Sequence, residues 1–186
     1  MILRKLLLLF FNKMFPFTKT IITWKNLNPW KLTPKYLILH HTGVRGTAGN
    51  IAVLTWQRKS PVSVHFLIGD DGDTYKLAEP TSICRHAWVS QWGNDKDLNN
   101  LSLGIEITWP WFTLEQYKST CKLTKYLMDT FKIPAENVLT HASVTRAGSK
   151  WKFLRDGKSQ ARKVDPNRSL RANHWFESFN ARRQSL

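Results

Sequence analysis

The chain has 186 residues, 42% of them apolar, and a formal net charge of +15 with a pI near 10.1. That length suits one domain with a sizeable core, and with that apolar fraction disorder is not the default reading. The basic excess points to polyanions (nucleic acid, an anionic membrane or a charged cell envelope) without choosing among them; a solvated surface that happens to be basic is the plain alternative.

The N-terminus reads MILRKLLLLFFNKMFPF. Its basic start and the Leu6–Phe11 run resemble a truncated signal peptide, but no small-residue cleavage site follows and the run is too short to span a bilayer. A leader, a membrane-touching basic helix and a packing helix all remain open. Residues 1–34 are taken as this segment plus a Trp-containing connector, and residues 35–186 as the domain. Tyr36–His41, bounded by Pro34 and Gly43, reads as a buried strand. Ala48–Arg58 reads as a short helix. Ser63–Gly69 is a second strand, Asp70-Asp71-Gly72-Asp73 a strong turn signal and Thr74–Ala78 a third strand, together a hairpin.

Leu101–Thr108 (LSLGIEIT) is a further strand. A helix is expected from Thr113 to about Phe131: Thr113 can cap it with Gln116 three residues on, and Leu114, Tyr117, Cys121, Thr124, Met128 and Phe131 recur at helical spacing. Asn137–His141 reads as a short strand ending in histidine, and a last helix is expected from Pro166 through Leu170, Ala172, Trp175 and Phe176. Strands and helices alternate, so the expected fold is α/β, a single domain with a central mixed β-sheet flanked by helices. The two cysteines, Cys84 and Cys121, form no CxxC pair, which leaves a zinc ribbon or thioredoxin-type site unsupported. Cys121 is expected in the core. Cys84, two residues from His86, is open to a redox or ligand role, and a disulfide between the two is also open. Some of the nine tryptophans must lie near the surface or line a groove.

Three of the features that can carry chemistry sit on strands. His40 and His41 end one, His141 ends another, and Glu106 lies inside a third between apolar neighbours. A charged residue in a buried strand is paired, liganding or catalytic, and functional groups gather at strand ends of α/β sheets. Two strand-end histidines with a carboxylate satisfy the chemistry of a catalytic zinc, which takes about three protein ligands and an open position; no HExxH occurs. Each histidine taken singly is more readily a satisfied structural group than a ligand. Side chains alternate along a strand, so His40 and His41 cannot both face one metal, and pattern alone does not choose between them.

Six segments in order, LILHHTG, VSVHFLIGDDGDTYKLA, RHAW, NNLSLGIEI, VLTHASV and KVDPN, resemble the type 2 N-acetylmuramoyl-L-alanine amidases, the family of AmpD-like enzymes, phage lysozyme-like amidases and peptidoglycan-recognition proteins. The resemblance covers roughly Tyr36 to Leu170. It implies a mixed sheet flanked by helices and one zinc (Zn2+) at strand ends. His40, His141 and Asp165 would be its ligands, Glu106 the catalytic acid/base and Lys163 an active-site cation. The bond cut would be the amide between the lactyl group of N-acetylmuramic acid and L-alanine of the stem peptide. His86, Trp88, Asn99 and Trp151 are the expected substrate contacts, and His65 is expected to be structural or to brace a ligand.

Departures from the family pattern are also legible. Asp165 follows His141 by 24 positions, longer than the AmpD-type arrangement, and the intervening basic loop is expected over the substrate groove through Trp151 and Phe153, or as a solvated loop. Val64 stands where the lysozyme-like branch has tyrosine. Trp88 stands where many relatives have glycine, so the cleft wall should differ. His174 matches nothing and is expected at the surface. A second reading is a non-catalytic peptidoglycan-binding module of the same fold; a third is a nucleic-acid binder, for which no motif speaks. The leading expectation is a monomeric amidase of the cell envelope or extracellular space, with peptidoglycan or muropeptide as partner, anionic envelope polymers or a membrane surface as further ones, and no nucleic acid; a phage endolysin is one form of it.

Overall fold

The computed structural model describes residues 19–20, 28–42, 46–47, 62–108 and 113–144. The N-terminal segment, the helix expected at Ala48–Arg58, most of the basic loop and the C-terminal helix lie outside the described residues. So do the expected site residues Lys163, Asp165 and Trp151, along with Phe153 and His174.

Ten strands occur among the described residues: β1 (Lys19–Thr20), β2 (Asn28–Lys31), β3 (Tyr36–His41), β4 (Phe66–Ile68), β5 (Thr74–Lys76), β6 (Ser82–Ile83), β7 (Gln91–Trp92), β8 (Asp95–Lys96), β9 (Ser102–Ile107) and β10 (Val138–Thr140). The helices are α1 (Leu114–Phe131) and the single turn α2 (His141–Val144). Six strands form one sheet in the order β1-β5-β4-β9-β3-β10. Its only antiparallel pair among these residues is the β4–β5 hairpin; β4, β9, β3 and β10 run parallel. The fold is therefore the expected α/β one with a mixed sheet.

All six residues of β3 and of β9 are buried, as parallel central strands covered on both faces must be. Alternation divides them. Leu37, Leu39, Leu103, Ile105 and Ile107 join Phe66 and Ile68 on the face that packs against α1 through Leu123 and Leu127. Burying each of those leucines is worth roughly 1.5–3 kcal/mol. On the opposite face, Tyr36 and Ile38 pack with Ala87, Leu98, Leu139 and Val144.

The buried stripe of α1 is Gln116, Thr120, Leu123, Thr124 and Leu127, while Leu114 is 65% exposed. This corrects the apolar stripe read from periodicity: Tyr117, Cys121, Met128 and Phe131 flank the core rather than centre it. Of the three polar residues in the buried stripe, Gln116 and Thr120 are satisfied where they sit. Gln116 Nε2 donates to the Thr108 carbonyl at 3.0 Å and to Thr108 Oγ1 at 2.9 Å, and Thr120 Oγ1 donates to the Gln116 carbonyl at 2.7 Å. Both cysteines are free thiols, and burial pushes the Cys84 thiol up to about 12, which makes it unreactive. Among the described residues no helix is long and apolar enough to cross a membrane.

The start of α1 is tied to the hairpin turn. Thr113 Oγ1 accepts from the Gln116 N–H and donates to the Asp70 carbonyl, both at 3.0 Å, and Gln116 Oε1 returns the capping-box bond to the Thr113 N–H at 2.9 Å. Ser119 Oγ donates to the Gly72 carbonyl at 2.6 Å. Thr113→Ala should therefore lower stability by about 1–2 kcal/mol in urea unfolding. A loss under ~0.5 kcal/mol would mean that packing alone positions the helix.

Candidate active site

The site is built on a row across three adjacent strands. In the β3–β9 pairing His40 lies opposite Glu106. In the β3–β10 pairing Leu39 lies opposite Thr140, so the next residue, His141, comes level with His40 on its other side. The rings of His40 and His141 meet with centroids 4.6 Å apart at 54°. His40 and Glu106 are almost fully buried, while His141, opening α2, is partly accessible. His41 takes the opposite face, level with Ile107, and is buried there.

Two further histidines continue the line. The His86 ring stands edge-on to His40 at 5.0 Å and lies 5.7 Å from that of His65. His65 is held at both nitrogens: Nδ1 accepts from the Gly104 N–H at 3.0 Å and Nε2 donates to the Ser82 carbonyl at 2.8 Å. Burial pushes its pKa down to about 4, so it is neutral at physiological pH. Burial, and then repulsion from His65, holds His86 well below the ordinary histidine range.

Hydrogen-bond partners settle the tautomers. His86 Nε2 faces the Ser102 carbonyl at 3.3 Å, which can only accept. Ser102 Oγ, 3.5 Å away, directs its own proton to the Leu98 carbonyl at 2.5 Å. The His86 proton therefore sits on Nε2, and Nδ1 of this neutral ring is an acceptor. His40 Nε2, 3.0 Å from it, must then be the donor. In neutral His40 the lone pair resides on Nδ1, the form a metal ligand needs.

His86 was expected to touch substrate. Its ring is instead buried and both its nitrogens are engaged within the protein, so it holds His40 in orientation. Space for it comes from Gly104: a Cβ there would lie 2.6 Å from His86 Cγ, 2.8 Å from Nδ1 and 2.9 Å from Val64 Cγ2. The sequence carried a signal for this contact, since a glycine inside an apolar strand marks a close approach. Val64 is a core residue packed with Leu67, Tyr75 and Leu77.

Asn99, another expected contact, clamps the loop that carries His86. Its Oδ1 accepts from the His86 and Ala87 N–H groups at 2.9 and 2.7 Å, and its Nδ2 donates to the Trp88 carbonyl at 3.3 Å. Trp88 is half exposed, with φ at 48°. That left-handed conformation costs a non-glycine residue about 1–2 kcal/mol. Among the described residues no three metal-binding side chains converge; the expected third ligand, Asp165, lies outside them.

Two outcomes follow from this packing. Gly104→Ala should cost about 2–3 kcal/mol in chemical denaturation and displace the His86 imidazole signals in NMR spectra; a neutral effect on both would contradict the close approach. His65 binds its proton near pH 6.5 when unfolded but only near pH 4 when folded. Its contribution is present above pH 6.5 and is lost as pH falls toward 4, about 3 kcal/mol in all. Thermal melts of metal-free protein across that range should steepen accordingly, and His65→Gln should flatten the dependence.

The model of the N-acetylmuramoyl-L-alanine amidase family matches residues 30–168. No curated protein sequence matches the chain. Among solved structures, PlyL is 20% identical with a TM-score of 0.66, covering 89% of this chain and 95% of its own. The endolysin N-acetylmuramoyl-L-alanine amidase LysCS from Clostridium intestinale is 21% identical with a TM-score of 0.52, covering 70% of this chain and 85% of its own. AmiD from E. coli, solved with the substrate anhydro-N-acetylmuramic acid-L-Ala-D-gamma-Glu-L-Lys, is 24% identical with a TM-score of 0.54, covering 65% of this chain and 53% of its own. These likenesses agree with the fold, and the family match spans the strands that carry His40, Glu106 and His141: the chain belongs to the N-acetylmuramoyl-L-alanine amidase family.

Proposed function

We propose that this protein is a zinc-dependent peptidoglycan amidase that hydrolyses the amide between the lactyl group of N-acetylmuramic acid and L-alanine of the stem peptide. The observation that carries the reading is the row Glu106–His40–His141 across β9, β3 and β10. The donor set fits zinc. Two neutral imidazoles and a carboxylate are its ordinary ligands, and the His40 and His141 rings meet at 4.6 Å. His40, through Nδ1, and His141 would hold it, with Asp165 as the third ligand. When bound, zinc supplies a Lewis acid that polarises a carbonyl and acidifies water.

The chain's own residues do the rest. Glu106, level with His40 and buried, is the base that takes the water proton and passes one to the leaving amine. Lys163 would stabilise the negative charge that develops on the carbonyl oxygen. His86 holds the His40 ring through Nε2. The muropeptide bound by AmiD supports the substrate class, and the endolysin LysCS supports a lytic role at a cell wall. The basic excess suits adhesion to anionic envelope polymers, and we place the enzyme at the cell envelope or outside the cell.

Mass spectrometry of products released from intact sacculi tests this. Stem peptide beginning with free L-alanine should appear, and a chelator should abolish it. Glu106→Gln should retain zinc by elemental analysis and lose at least ~100-fold in kcat, whereas His40→Ala should lose the metal. Undiminished release after metal removal, or full activity in Glu106→Gln, would overturn the assignment.

A further inference from the structure

Trp88 is a large aromatic residue in a left-handed backbone conformation, and it is also 48% exposed. A bulky residue is an outlier there, and an exposed one regains little by burial. Its neighbours impose the conformation. Asn99 clamps positions 86 to 88, Ser90 Oγ donates to the Trp88 carbonyl at 3.3 Å, and that hydroxyl in turn accepts from the Leu98 N–H at 3.0 Å. Strain over-determined in this way marks a functional position.

The indole borders a cavity of about 460 Å³ whose walls include Val62, Ile83, Arg85, Asp97 and Asn100. That volume suits one small ligand or one residue of a chain. The wall joins an aromatic face and aliphatic side chains to a guanidinium, a carboxylate and amides. Arg85 and Asp97 offset each other in charge, so the cavity favours a neutral ligand over a carboxylate-bearing peptide. Val89 and Trp92, 48% and 40% exposed on the same loop, extend the apolar surface.

We propose that this cavity is a saccharide subsite that takes an N-acetylated hexosamine ring, with Trp88 as its stacking platform. The apolar face of the sugar lies on the indole, and its hydroxyls and acetamide meet Arg85, Asp97 and Asn100. The same loop turns His86 inward to His40 and Trp88 outward to the cavity, so the sugar subsite and the catalytic row share one clamp. The proposal rests on peptidoglycan being the substrate but not on its hydrolysis.

Calorimetric titration of the full chain in chelator, with a tetramer of N-acetylglucosamine and separately with the peptide L-Ala-D-γ-Glu-L-Lys, tests it. The tetramer carries no lactyl amide, so binding is read apart from catalysis. It should bind; Trp88→Gly should weaken it at least tenfold, and Trp88→Phe should keep most of the affinity. Trp88→Gly should also raise Tm by about 2–4 °C, as the backbone is relieved. The subsite is overturned if the tetramer fails to bind at millimolar concentration, if only the peptide binds, if Trp88→Gly binds as the native chain does, or if its Tm falls, which would make the indole a packing element. Loss of product release from sacculi with saccharide binding intact would count against the amidase reading alone.

Discussion

The parallel register of β9, β3 and β10 is the constraint on which the rest depends. It puts Glu106, His40 and His141 on one line across the sheet. A strand has a period of two, so a slip of one residue would turn His40 toward α1 and bring His41 to the site. What prevents the slip is the apolar set on the far face: Leu37, Leu39, Leu103, Ile105 and Ile107 under α1. The core thus decides which histidine shares a face with Glu106, although it lies on the opposite face.

That arrangement leaves several polar rings in a dry interior, which is costly unless each is satisfied. The structure meets the requirement with a directed chain. His40 donates to His86 and His86 to the Ser102 carbonyl, while His65 bridges Gly104 and Ser82. Burial keeps His65 and His86 neutral. Neutral rings with settled tautomers are what a metal site needs of its supports, so if His40 is a ligand, the bonds that satisfy these buried rings would also orient it.

The loop from Arg85 to Asn99 links this interior to the surface. Asn99 holds positions 86 to 88 by their backbone groups, which leaves the side chains at 86 and 88 to point in opposite directions. Such a clamp tolerates a change of residue at its outer position. This chain places tryptophan where glycine would be relaxed, and it does so without disturbing His86.

Much of this was legible in the residues themselves. The α/β class, β3, β9, the hairpin and the Thr113 cap followed from period, turn chemistry and capping, which are local properties. The candidacy of His40, His141 and Glu106 followed from polar residues at strand ends or inside an apolar strand. The core stripe of α1 did not, because Gln116 and Thr120 are polar residues that are buried with their hydrogen bonds satisfied, which apolar periodicity does not reveal. Alternation separates the faces of His40 and His41 without naming them; the family resemblance pointed to His40, and the packing of α1 shows which face each one takes. His86 looked like a substrate contact because sequence shows a residue type but not where its ring nitrogens end; the neighbouring carbonyl of Ser102 and the missing side chain of Gly104 decided that. By itself the sequence determined which residues could do chemistry, because that depends on side-chain type and local period. The tertiary structure decided which of them meet, because register, burial and hydrogen-bond partners are set between segments far apart in the chain.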